Sequence, residues 1–191
     1  TALSYKNPSN ILVNITTDKN LSWARYQINN EELKDLGNVS QTNWNITITS
    51  LADESTYNLT IYANSTGGGQ NNETITFYTD SIAPRYYNAT ASPSIANLLQ
   101  QVNCSINWTD GFNIASVIIG ENSSGSFENH TISFSGISGI ASYTISGARL
   151  SNLGDYTCNF YATDSAGNTN TTSTSFTVID LTPPSITILS P

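Results

Sequence analysis

Positive charge is scarce in this chain. Six Lys and Arg stand against 14 Asp and Glu in 191 residues, a net charge of −8. Phosphate backbones and anionic membrane surfaces are both bound by clusters of Lys and Arg, so neither nucleic acid nor a charged bilayer is an expected partner. Methionine is absent, histidine occurs once and cysteine twice. A structural zinc site needs four Cys or His ligands, which this composition cannot supply. The lone His130 lies in a polar stretch and reads as a surface residue rather than a general base. Serine is so abundant that no Ser-His-Asp set can be singled out. Gly67-Gly68-Gly69 lacks the Lys and following helix of a phosphate loop and reads as a turn. The carboxylate pairs Glu31-Glu32 and Asp53-Glu54 read as solvated loop surface, not as glycosidase acids. No run of about 18 apolar residues exists, so no membrane-inserting helix is expected. Thr1 opens directly into folded-looking sequence, which reads as a processed or excerpted chain.

Asparagine, serine and threonine are plentiful instead, and they form thirteen Asn-x-Ser/Thr sequons. Their asparagines are Asn14, Asn20, Asn38, Asn45, Asn58, Asn64, Asn72, Asn88, Asn103, Asn107, Asn122, Asn129 and Asn170. Random placement of these residue types would give about six such triplets, so composition accounts for about half of them. A sequon is an acceptor for N-linked glycan on an exposed surface of a secreted protein. The expectation is an extracellular, N-glycosylated chain. Ile, Val, Tyr and Phe recur on alternation throughout, which separates it from a disordered mucin-like stalk.

The chain repeats itself. Thr56-Tyr57-Asn58-Leu59-Thr60 reads against Asp155-Tyr156-Thr157-Cys158-Asn159 at an offset of 99, and Asp80 and Pro84 read against Asp180 and Pro184 at an offset of 100. Upstream, Ile11, Val13 and Ile15 match Val102, Cys104 and Ile106 at an offset of 91. The second copy is therefore longer in its first half, most simply through longer loops. Boundaries at the aspartate–proline junctions give units 1–81 and 82–181, followed by a segment 182–191. Alternation predicts strands over 10–17, 43–49, 56–64 and 73–79 in the first unit. In the second it predicts 102–109, 116–120, 130–134, 141–145, 156–163 and 174–179. Only 31–36 hints at a helical turn. Short strands with Gly, Asn and Ser turns indicate an all-β chain of two tandem sandwiches. With Val13, Ile15, Ile46, Leu59 and Ile106 facing a core, the sequons Asn14, Asn45, Asn58, Asn72, Asn103 and Asn107 face outward.

Leu153-Gly154-Asp155-Tyr156-Thr157-Cys158 resembles the start of strand F in an immunoglobulin-like domain. The resemblance makes Tyr156 a tyrosine-corner residue and implies an inter-sheet disulfide between Cys104 and Cys158. In the first unit it places Tyr57 at the corner, with Val13 and Leu59 where the cysteines stand in the second. Tyr161-Ala162-Thr163-Asp164-Ser165-Ala166-Gly167-Asn168, together with Asp180-Leu181-Thr182-Pro183-Pro184, further resembles the Ig-like repeats of bacterial and archaeal surface proteins. Such repeats bind Ca²⁺ through junction aspartates, and Asp110, Asp164 and Asp180 would offer hard oxygen ligands if they converged at a domain end. No other cofactor is expected.

The chain ends on Ser185-Ile186-Thr187-Ile188-Leu189-Ser190, which overlays the first residues with Ile186 on Leu3 and Ile188 on Tyr5. It reads as an extra C-terminal β-strand, the first strand of a sandwich that the chain does not hold. Either a third unit follows in a longer array, or the strand is donated to a neighbouring subunit. A head-to-tail contact of that kind does not close and builds a filament. The leading expectation is a non-enzymatic structural subunit of an extracellular filament or surface layer, whose partners are copies of itself and, beyond them, cell-surface glycans or other cells. It is similar to glycosylated archaeal thread-like filaments. The rivals are a segment of a long adhesin or stalk, and a carbohydrate-binding module carried by a secreted enzyme, for which Trp23 or Trp44 would form the platform.

Overall fold

The computed structural model describes residues 5–189. Among them there is no α-helix, and the chain divides into two compact units, Thr1–Ile82 and Ala83–Pro191. The first unit contains β1 (Tyr5–Lys6), β2 (Ile11–Thr16), β3 (Leu21–Ile28), β4 (Lys34–Asp35), β5 (Gly37–Ser40), β6 (Asn43–Ile48), β7 (Ser55–Ser65) and β8 (Gln70–Thr79). They form two sheets, ordered β1-β8-β7-β3-β4 and β2-β6-β5. The core between them holds Ile11, Ala24, Tyr26, Ile28, Trp44, Ile48, Leu59 and Phe77. Each strand buries alternate residues because successive side chains point to opposite faces of the pleat.

The second unit contains β9 (Arg85–Ser92), β10 (Ile95–Asn97), β11 (Val102–Thr109), β12 (Ile114–Glu121), β13 (Glu128–Ile132), β14 (Ser138–Ile145), a 3₁₀ turn at Gly147–Arg149, β15 (Gly154–Asp164) and β16 (Thr169–Ile179). Its sheets run β10-β16-β15-β12-β13 and β14-β11-β9. Val102, Cys104, Ile106 and Trp108 alternate inward from β11, against Cys158, Phe160 and Phe176 of the facing sheet. Cys104 and Cys158 are bonded across the two sheets. The Tyr156 hydroxyl donates to the carbonyl of Asn152 at 2.9 Å, and the Tyr57 hydroxyl accepts from the amide of Ala52 at 2.8 Å. Two-sheet packing, a tyrosine tied to the backbone a few residues upstream and an inter-sheet bridge make the all-β fold immunoglobulin-like.

Several local expectations change. Residues 31–36 hold no helical turn: Lys34–Asp35 pairs with β3, where the Arg25 guanidinium meets Asp35 at 2.8 Å. β3 and β9 were not legible in the alternation, since a register shift interrupts each, between Leu21 and Trp23 in β3 and opposite Ser105 and Asn107 in β9. Such a bulge moves the buried face by one residue and breaks a period-two reading. The extra C-terminal strand pairs with no strand among the described residues. Residues 181–189 have no regular structure, and Ser190 lies outside the described residues.

Candidate functional site

The two units differ at one edge. In the second, β11 is flanked on both sides, by β14 and by β9, and β9 also packs against β16. In the first, the counterpart of β11 is β2, which pairs with β6 alone, and no described residue hydrogen-bonds along its other edge. Between that free edge and the inner face of β7 and β8 opens a cleft of about 680 Å³. Its apolar walls are Val13 and Ile15 from β2, Leu59, Ile61 and Ala63 from β7, and Ile75 from β8, and Asp18, Lys19, Asn72 and Glu73 are among the polar residues that also line it. Ile75 shares the inward face with buried Phe77 yet is 42% exposed, since no described residue covers it. A bare strand edge above an apolar floor has the chemistry to accept an extended peptide: backbone groups pair along it and alternate side chains fill the cleft.

The last described residues are an exposed apolar segment. Ile186, Ile188 and Leu189 are 85%, 83% and 93% exposed. The segment starts from an anchored point, where the Leu181 amide donates to Asn97 and the Thr182 amide to Asp180. The offset of 100 that aligns Asp80 with Asp180 carries Pro84 onto Pro184 and Arg85 onto Ser185, so Ser185 onward corresponds to β9. This corrects the overlay on the chain's first residues. Tyr5–Lys6 is a short strand parallel to β8, as β10 is to β16, and so matches β10 rather than β9. Leu3, the other half of that overlay, lies outside the described residues.

The sequon asparagines are distributed over both units. Asn14, Asn20, Asn38, Asn58, Asn72, Asn88 and Asn129 are exposed, and Asn45, Asn64, Asn103 and Asn107 are half-buried on outward strand positions. Two are placed differently. Asn170 shares the inward face of β16 with Phe176 and Val178, and its Nδ2 donates to the Pro84 carbonyl at 2.8 Å. Asn122 is half-buried, its Oδ1 accepting from the Thr157 amide at 2.8 Å.

A charged cluster inside the second unit escaped the sequence reading. Glu121 is fully buried at the end of β12. Arg149 Nη2 lies 2.6 Å from Glu121 and 2.8 Å from Glu128, and Ser123 donates its amide to the second Glu121 oxygen at 2.7 Å. His130 faces the same carboxylate at 3.5 Å and stacks on Tyr143 with ring centroids 3.7 Å apart. It is therefore a packed member of this network and not the free surface residue expected of it. Glu121, Glu128 and His130 bring ligand atoms within 4.8 Å of one another, but the guanidinium occupies the position a metal cation would take. The signal was present: Val117, Ile119 and Glu121 continue one inward series along β12. In the first unit the position of Glu121 is held by Ile28, paired with Leu59 as Glu121 is with Cys158.

The three aspartates named for calcium do not converge. Carboxylate oxygens of Asp110 and Asp164 lie within 4.8 Å of each other, whereas Asp180 follows the far end of β16. Asp164 closes its own turn by accepting from the amides of Ala166 and Asn168 and from the Asn168 side chain. Trp44 is buried, and Trp23 is half-buried with the Arg25 guanidinium 5.2 Å from its ring centre, so neither forms an open aromatic platform.

No family model matches the chain, and no curated protein matches it. Similar solved structures include SGBP-B of the Bacteroides ovatus mixed-linkage glucan utilization locus, in complex with a mixed-linkage heptasaccharide, at 18% identity and TM-score 0.34. A 1.5-MDa bacterial ice-binding adhesin follows at 14% and 0.44, and the IG1+IG2 pair of DIP-gamma at 11% and 0.46. The matches cover 93%, 93% and 92% of this chain, and 42%, 61% and 93% of those chains. The chain thus spans less than two thirds of the first two. At these identities and TM-scores, ligand and activity do not transfer.

Proposed function

We propose that the chain is a non-enzymatic structural subunit of an extracellular, N-glycosylated filament, and that copies join head to tail when residues 185–190 of one enter the first-unit cleft of the next. One observation carries this reading. Among the described residues no strand of the first unit stands where the second has β9, and the segment after β16 matches β9 in sequence position, is apolar and is exposed. Donor and acceptor sit at opposite ends of the chain, so the contact is heterologous and propagates. In an extended strand Ile186 and Ile188 share one face and fill the cleft beside Val13 and Ile15, while the backbone completes the β2 edge. Sugars on outward positions keep the sheet faces from pairing sideways.

A second reading has one observation in its favour. The same match to β9 fits a longer surface protein in which residues past Pro191 continue as a third unit and use the segment as their own strand. Intact mass and imaging of native material separate the two.

The test is the double variant I186D/I188D. Both side chains are exposed, so the subunit still folds, but two carboxylates cannot replace the apolar contacts with Val13, Ile15 and Ile75. Wild type is expected to polymerise and the variant to remain at the 20.6 kDa of the polypeptide plus its glycans. A V13C/I188C pair is expected to cross-link neighbouring copies on oxidation. Polymers unaffected by the aspartates, or wild-type material that stays monomeric, would overturn the proposal.

A further inference from the structure

On the sheet β14-β11-β9, Ile106 and Trp108 are fully buried, so Asn107 between them points outward. Its two register partners are Tyr87 on β9 and Ile140 on β14. Directly opposed residues share a face, with Cβ atoms about 4.5–5.5 Å apart. The three side chains therefore form one row across the open face, Tyr87–Asn107–Ile140. Tyr87 is 50% exposed and Ile140 72%. The neighbouring rows are small or polar: Thr90–Ser105–Ser142, Ser92–Asn103–Thr144 and Arg85–Thr109–Ser138. Both large apolar side chains of this outer face thus stand on either side of one sequon asparagine. No described residue hydrogen-bonds the Asn107 side chain, whereas Asn103 on the same strand accepts from the Thr144 hydroxyl at 3.1 Å.

We propose that Tyr87 and Ile140 are a two-sided seat for the first sugar of an N-glycan on Asn107. A pyranose ring carries a face of C–H groups. That face packs on an aromatic ring and on aliphatic methyls as other apolar surface does, and here it removes from water two side chains that the fold leaves open. Attachment forms a bond from Asn107 Nδ2 to C1 of the sugar. The C1–O bond to the phosphate of a lipid-linked sugar donor breaks, and the amide proton leaves with that phosphate. The amide oxygen is untouched. The neighbouring Thr109 completes the sequon and also faces outward. Covered in this way, the row is closed to protein–protein contact, although its apolar content alone would read as a docking patch.

The inference rests on the reading that the chain is N-glycosylated, and the experiment separates the two. Protein is made in a host that glycosylates it, and occupancy of every sequon is read by glycopeptide mass spectrometry. Melting of the second unit is then compared for wild type, N107Q, T109A, Y87S/I140S and the combination of N107Q with Y87S/I140S. The expected result is modified Asn107, a loss of about 2–5 °C for N107Q and for T109A, and under about 1 °C of further loss when N107Q is added to Y87S/I140S. Additive losses overturn the seat. Bare Asn107 beside other modified sequons also overturns it and leaves the glycosylation reading standing. Bare asparagines at all thirteen positions overturn both.

Discussion

Arg149 and Glu121 are joined at 2.6 Å across 28 residues of sequence, with the carboxylate wholly out of water. Removing one member of a buried pair strands the other charge, which costs about 3 kcal/mol. R149L is therefore expected to lower the stability of the second unit by about that amount. Replacing both members by apolar residues leaves no stranded charge. E121I/R149L should recover most of the loss, since Ile28 fills the equivalent place in the first unit. Denaturant titration of the two variants checks this order.

Acid should weaken both units. Hydrogen bonds from Arg149 and then Ser124 hold Glu128 below the ordinary glutamate value. For Asp53, burial pushes upward but is outweighed by bonds from the Ser81 hydroxyl and amide and the Glu54 amide. A carboxylate whose folded value is depressed adds stability that is complete above its unfolded value, about 4 for either residue. That stability is lost as pH falls through the lower folded value. Urea midpoints should fall as the pH drops below about 4, less steeply in E128Q for the second unit and in D53N for the first.

The tyrosine corner is expected to be worth one hydrogen bond. Y156F leaves the ring stacked on Phe176 at 5.5 Å but removes the donor to Asn152. A loss of about 1 kcal/mol follows, or about 4–6 °C in the melting of the second unit. Calorimetry of wild type and Y156F decides it.

Reduction should act on one unit only. Cys104 and Cys158 are 54 residues apart in sequence, and freeing a loop of that length costs about 4 kcal/mol of unfolded-state entropy. The first unit has Val13 and Leu59 at those places and should melt unchanged in the presence of a reductant. Calorimetry with and without reductant separates the two transitions.

Two sequons should remain bare even where others are filled. Asn170 faces inward and spends Nδ2 on Pro84, and Asn122 is half-buried and tied to Thr157. A sugar at either site displaces packed chain. Site-by-site mass spectrometry of native protein should find these two empty and the exposed Asn14, Asn58 and Asn72 filled.

Much of the fold was legible because local period carries it. Ile11, Val13 and Ile15, or Val102, Cys104, Ile106 and Trp108, alternate without interruption, and a strand with one buried face requires that pattern. β3 was not legible, since its register shift separates Leu21 from the later series Ala24, Tyr26 and Ile28. The offset of 100 at the aspartate–proline junctions held the key to the last segment, but its match to β9 could be read only once β9 was known to be a strand.

By itself the sequence determined two β-rich repeats and the outward parity of six sequon asparagines, and its resemblance to an immunoglobulin-like strand F marked the corner tyrosines. The parity follows from spacing along one strand, which period two fixes. Only the tertiary structure decided that Glu121 meets Arg149, that among the described residues β2 pairs along one edge only, beside a largely apolar cleft, and that Tyr87 and Ile140 flank Asn107. Each depends on which strands lie side by side and in what register. That choice is made by long-range packing, and bulges such as the one opposite Asn107 shift it by a residue that no local pattern records.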